Sequence, residues 1–214
     1  MWTLIKRELD DLLWSFLFIL ILVATLIVGT CSWMIYNFPN RQPMAIPNLM
    51  IEELWYVIFA FPLVAAAVGS ASMFLDRTRR ISTFLATQAS SRQQIVAAKM
   101  GAGLLAILMF LGLLALTDVL LLRFFPPLLP VDYEPMIRMF LVAFSASLAC
   151  LAVGMQLGWT QSKFLPAIGT LSIVVVLLSL IVLKGFTYET IAIFLVVAAA
   201  SFLRAWQKFV SSPI

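Results

Sequence analysis

Six predominantly apolar stretches divide the chain, at approximately 16 to 36, 54 to 75, 97 to 122, 137 to 159, 164 to 183 and 189 to 207. Each matches the ~20 residues that a helix needs to cross the hydrocarbon core of a bilayer. Leu104 to Leu116 and Leu171 to Leu183 are apolar on every side, with no period of two. A membrane barrel needs alternating strands of ~10 residues, so the pattern predicts helices, which satisfy their backbone hydrogen bonds internally. The expected fold is all-α: a polytopic membrane protein with six transmembrane helices in one domain over residues 1–214. The first stretch reads as a permanent span. It is too long for a signal-peptide core, follows acidic Glu8, Asp10 and Asp11, and lacks a small-residue cleavage pattern.

The connectors set the orientation. With the N-terminus inside, the inner side holds Lys6, Arg7, Arg77, Arg79, Arg80, Arg92, Lys99, Lys163, Arg204 and Lys208, and the outer side Arg41, Arg123, Arg138 and Lys184. Because basic residues stay on the cytoplasmic side, this division predicts that both termini are cytoplasmic. Trp14, Trp33, Trp55, Trp159 and Trp206 fall near span ends, as interfacial anchors do. Two irregular outer loops are expected, 37 to 53 with Pro39, Pro43 and Pro47, and 123 to 136 with Pro126, Pro127, Pro130 and Pro135. The longest inner connector is 76 to 96, whereas 160 to 163 and 184 to 188 are tight turns.

Composition narrows the chemistry. Of 214 residues, 63% are apolar and 11% charged, which leaves no room between the spans for a soluble motor or catalytic domain. The net charge of +4 is distributed by membrane side, not pooled into a patch, so nucleic-acid binding is not expected. Cys31 and Cys150 both lie in apolar stretches, where a thiol behaves as a small hydrophobe. The chain has no histidine, which removes the zinc-protease helix and every Ser/His arrangement, and no metal site is expected. It also lacks a P-loop; Gly101-Ala102-Gly103 reads as a close-packing site at the head of a span. Asp118 is the one acid well inside a predicted span. Counted from Ala97 it lies ~30 Å along the helix, near the outer interface, where water, Arg123 or Arg138 can satisfy it.

Two inner segments carry more information. In Met1 to Trp14, Trp2, Ile5, Leu9, Leu12 and Leu13 recur at helical spacing opposite Lys6, Arg7, Asp10 and Asp11, which predicts an interfacial amphipathic helix. In the inner connector, Ser90 and Ser91 precede Gln93 and Gln94 by three positions, a capping-box spacing that starts a helix running through Lys99 into the third span. Upstream, Ile81, Phe84 and Leu85 fall at i, i+3 and i+4, giving a short helix from about Arg79 to Ala86 with one apolar face ringed by Arg77, Arg79 and Arg80. Two turns are not stable alone, so that face must be covered, by lipid or by a groove on another protein. Spacing does not choose between them.

These residues resemble the permease subunits of the second export class of ATP-binding cassette (ABC) transporters. Lys6-Arg7-Glu8-Leu9 is similar to the Lys/Arg-Glu-Leu signature of that family's elbow helix. Thr83 to Lys99 is similar to its cytoplasmic segment, in which a Leu-rich short helix precedes a Ser-Arg pair, an apolar pair and a Lys entering the third span. Six spans, both termini inside and the longest inner connector between spans two and three complete the likeness. Arg80, Ile81 and Ser82 stand where the family often has an acid and a Gly-Thr pair, and Lys184 to Tyr188 is too short for its re-entrant hairpin.

The resemblance implies a bacterial plasma-membrane exporter subunit whose coupling helix, with Arg77, Arg79, Arg80, Ile81, Phe84 and Leu85, docks into a separate ATPase. This chain would bind no cofactor, with ATP and Mg held by that partner. A second copy or a related permease would complete the pore. An apolar interior with Asp118, Ser145 and Gln156 as candidate path residues would suit an amphiphilic or hydrophobic substrate, although such polar groups also serve as helix-to-helix or back-bonded contacts. Gly154-x-x-x-Gly158 and Ala65-x-x-x-Gly69 permit close helix approach, between subunits or within one. Two other classes fit the same text: a non-transporting assembly or scaffold subunit, and an ATP-independent secondary carrier working through Asp118.

Overall fold

A computed structural model of the chain describes residues 61–70, 73, 92–124, 133–158 and 165–211. Among these residues every regular element is a helix. In chain order they are α1 (Phe61–Ser70), α2 (Arg92–Phe124), α3 (Tyr133–Gly158), α4 (Leu165–Lys184) and α5 (Tyr188–Ser211). Three are long and apolar enough to cross a membrane, over Gln93–Leu116, Tyr133–Gly158 and Tyr188–Lys208; Phe61–Ser70 and Ile168–Lys184 are shorter apolar helices. The first predicted span, the elbow helix and residues 76–91 of the inner connector, which include the predicted coupling helix, lie outside the described residues.

The ends of the helices follow local chemistry. α2 starts at Arg92, directly after the Ser90 and Ser91 capping signal, and runs without a break for 33 residues. α3 starts at Tyr133, so Pro135 belongs to its first turn and not to the outer loop expected over 123 to 136. A first-turn proline removes no helical hydrogen bond, because the N–H groups there have no intrahelical acceptor. Glu134 and Glu189 sit in the first turns of α3 and α5, and Lys184 and Lys208 in the last turns of α4 and α5. Each matches the sign that the helix dipole favours.

The turn between α4 and α5 is fully built. Gly185, at φ +69°, takes the left-handed conformation that ends α4, and its N–H donates to the Ile181 carbonyl at 2.8 Å. Thr187 caps α5, accepting from the Thr190 N–H at 3.4 Å, while the Thr190 hydroxyl donates to the Gly185 carbonyl at 3.0 Å. Lys184 pairs with Glu189 at 2.9 Å across the turn.

Packing centres on α3. It makes its most extensive contact with α5 and is flanked by α4 and α2. Small residues make this possible: Ala143, Ala146, Ser147, Ala149, Cys150 and Ala152 are all buried, on several sides of one helix. α5 buries one stripe, Thr190, Phe194, Ala198, Ser201 and Ala205, at steps of three and four. α1 crosses both α2 and α3. Its Phe61 stacks on Phe110 of α2, with ring centroids 4.2 Å apart and 9° between planes.

The outward surface is apolar as well. Leu108, Met109, Leu113, Leu116 and Val119 of α2 and Leu171, Val175, Val176, Val182 and Leu183 of α4 are exposed. A bundle of apolar helices that keeps such residues outside is built for lipid, because water would penalise those faces.

Candidate functional site

Three places in the fold bear on function: the end of the bundle where α2 begins, the opposite end where α3 and α5 begin, and the interior between them.

At the first end, the coupling residues Arg77, Arg79, Arg80, Ile81, Phe84 and Leu85 and the elbow residues Lys6, Arg7, Glu8 and Leu9 fall outside the described residues. What is described is the helix they lead into. Ile95, Val96, Ala98, Lys99 and Ala102 are all buried while Gln93 and Gln94 are exposed, so one side of the first turns of α2 packs against the rest of the chain. Beyond them Gly103 meets α3, and a Cβ there would lie 2.6 Å from Leu151 Cδ2. The close-packing role read for Gly101-Ala102-Gly103 is therefore carried by Gly103 at the α2–α3 contact. A displacement of residue 92 would travel along one uninterrupted rod, since no proline, π-bulge or break softens α2.

The glycines of both small-residue motifs lie at one helix crossing inside one chain. A Cβ at Gly69 would lie 2.6 Å from the Leu151 carbonyl oxygen, one at Gly158 2.5 Å from that of Ser70, and one at Gly154 would collide with that of Ala66. Backbone atoms cannot move aside as a side-chain tip can, so these positions admit only glycine. The two motifs thus form the α1–α3 crossing, which decides the alternative their spacing left open.

The candidate path residues are not brought together. Ser145 is buried and donates to the Val142 carbonyl at 3.1 Å, and Ser147 donates to that of Ala143 at 2.6 Å. Both hydroxyls are thus turned onto their own helix. Gln156 is half-buried and lies 11 residues along α3 from Ser145, about 16 Å away along the axis. Asp118 belongs to α2 through its backbone, and its side chain lies outside the described residues.

The opposite end holds a polar cluster. Arg138 pairs with Glu134 one turn earlier on α3, and its guanidinium carbon stands 5.1 Å from the ring centroid of Tyr188 on α5. Lys184 and Glu189 close the neighbouring corner. The sequence offers Arg138 to Asp118, but its partner in the fold is Glu134, at the four-residue Glu-to-Arg spacing that a helix brings together. Tyr188 carried no such signal, because its approach to Arg138 arises from the docking of α5 on α3. Arg138 thus joins two helices through one planar cation, an arrangement suited to holding the ends of α3 and α5 in register and not to proton transfer.

No protein-family model matches the chain, and no curated protein is detectably similar to it. Among the described residues, fold and surface are those of a helical membrane protein, with long apolar helices, small-residue interhelical contacts and a lipid-suited exterior.

Proposed function

We propose that this chain is the membrane-spanning permease subunit of an ABC exporter, driven by a separate ATPase that binds ATP and Mg. It crosses the bacterial plasma membrane six times with both termini in the cytoplasm, and it pairs with a second copy or a related permease around the substrate path. The cargo class is amphiphilic or hydrophobic. The observation that carries this reading is the joining of Thr83 to Lys99, similar to the family's cytoplasmic segment, to one unbroken 33-residue helix. A lever needs that continuity: a rigid-body shift at the cytoplasmic end becomes a shift across the bilayer only if nothing between them bends.

The reading is tested by copurification and ATPase stimulation. Phe84→Asp places a charge on the apolar face of the short helix, so the purified complex should lose transport and substrate-stimulated ATPase activity together, with the spans still folded. Copurification and stimulation left intact by this change and by joint loss of Arg79 and Arg80 would defeat the proposal. Capture of no nucleotide-binding protein would favour the scaffold reading. Transport that needs no ATP and is abolished by charge reversal at Asp118 would favour the carrier.

A further inference from the structure

The two ends of the bundle carry charge differently. The basic side chains described are those of Lys99, Arg138, Lys184, Arg204 and Lys208. Arg138 pairs with Glu134, Lys184 pairs with Glu189, and Lys99 is not without a partner. Arg204 and Lys208 are both exposed, and among the described residues neither has an acidic or hydrogen-bonding partner.

These two lie four positions apart in α5, so one stands above the other on one side of the helix. The membrane-length stretch Tyr188–Lys208 has 21 residues, about 30 Å of helix, which matches the hydrocarbon thickness of a bilayer. With Tyr188 and the paired cluster at one surface, Lys208 reaches the other. Arg204, one turn short of it, extends its head to the same level along its flexible stem. On the turns that lead up to them, Val196, Ala200 and Leu203 are exposed, an apolar wall at the depth of the acyl chains. The negative end of the α5 dipole favours cations here. It leaves their N–H groups free to meet an oxyanion.

We infer that this end of α5 is a binding site for an anionic phospholipid: Arg204 and Lys208 hold the headgroup phosphate, and the acyl chains lie along Val196, Ala200 and Leu203. A phospholipid presents an oxyanion and hydrocarbon in that order along one helix. An acidic protein surface would satisfy the cations and leave the apolar wall uncovered. At the opposite end Arg138 and Lys184 are each held by a carboxylate, so that end serves as an internal control. The site requires only that α5 spans the bilayer, and it stands or falls apart from the exporter reading.

Native mass spectrometry of the full chain tests this, after release from neutral-detergent micelles that hold equal amounts of phosphatidylglycerol and phosphatidylcholine with the same acyl chains. Both lipids carry a phosphate, but choline cancels the charge of the second. The parent chain should retain phosphatidylglycerol in preference. Arg204→Gln combined with Lys208→Gln should lower that preference by roughly fivefold for each charge removed, whereas Arg204→Lys combined with Lys208→Arg should keep most of it. Both side chains are exposed, so these variants should fold, which circular dichroism checks. Lys184→Gln removes the same charge at the paired end and should leave the preference as it was. No preference in the parent, as expected of a surface made for an acidic protein, would overturn the proposal. So would a double Gln variant that keeps the preference, or a loss with Lys184→Gln as large as that with Arg204→Gln alone.

Discussion

α3 and α4 are neighbours of similar apolar character, yet one is the centre of the bundle and the other its edge. α3 is enclosed along most of its length, and beside Met139, Val142, Leu151, Val153 and Met155 it buries a run of small residues, Ala143, Ala146, Ala149, Ala152, Gly154 and Gly158. α4 buries only a narrow stripe, Thr170, Val174, Leu177, Leu178 and Ile181, and leaves Leu171, Val175, Val176, Val182 and Leu183 outside. Between two faces that are both apolar, hydrophobicity cannot choose, because lipid tails accept a leucine as readily as a neighbouring helix does. Side-chain size chooses instead. Small residues let backbones approach until carbonyl oxygens touch the facing helix, and dispersion and packing then hold the helices together. Large branched residues hold helices further apart: Val174, Leu177, Leu178 and Ile181 fill the contact that α4 does make, and most of its other branched residues face outward.

The contrast is broken most severely at the glycines. Gly154→Val drives a branched side chain into the Ala66 carbonyl, which cannot retreat without separating α1 from α3. A loss of about 3 kcal/mol is expected, measured as reversible unfolding in mixed micelles, with loss of monodispersity as a second sign. Phe194→Ala on α5 comes next. That ring is fully buried, and its removal should cost ~2 kcal/mol, mainly the cavity contribution, since the transfer gain from water has little force in lipid.

Gly185→Ala is a milder test at the α4–α5 turn. Its Cβ would meet nothing, so the expected loss of about 1 kcal/mol arises purely from the left-handed backbone at φ +69°. At the far end of the scale, Val176→Ala on the outer face of α4 should change stability by less than ~0.5 kcal/mol. A Val176→Ala effect as large as that at Phe194 would mean that α4 faces protein and not lipid. Ser145→Ala should also be nearly silent in unfolding and in any transport assay, because its hydroxyl is returned to Val142. A transport defect there would return Ser145 to the substrate path.

The placement of the helices in the chain was largely legible beforehand. The stretches 97 to 122, 137 to 159, 164 to 183 and 189 to 207 correspond to α2, α3, α4 and α5 within a few residues, because long apolar runs with capping signals have few other solutions in a bilayer. Errors collected at the ends. Pro135 marked a loop in the sequence and opens a helix in the fold, since proline suits both places. The polar residues are harder to place: spacing leaves Ser145 open to the substrate path or to its own helix, and only the structure shows its hydrogen bond to the Val142 carbonyl. The burial of Lys99 had no signature, because a lysine near a span end is usually free to snorkel to the interface.

What the sequence by itself determined is the class of structure that the described residues show, apolar helices of which three are long enough to cross a membrane, since composition and run length act locally and need no knowledge of neighbours. Which faces of those segments meet, that Gly154 and Gly158 serve α1 of the same chain, and that Arg138 reaches across to Tyr188, only the tertiary structure decided. These outcomes depend on helices distant in sequence fitting against one another, and in a uniformly apolar chain the selection among such fits is made by shape, which no single segment contains.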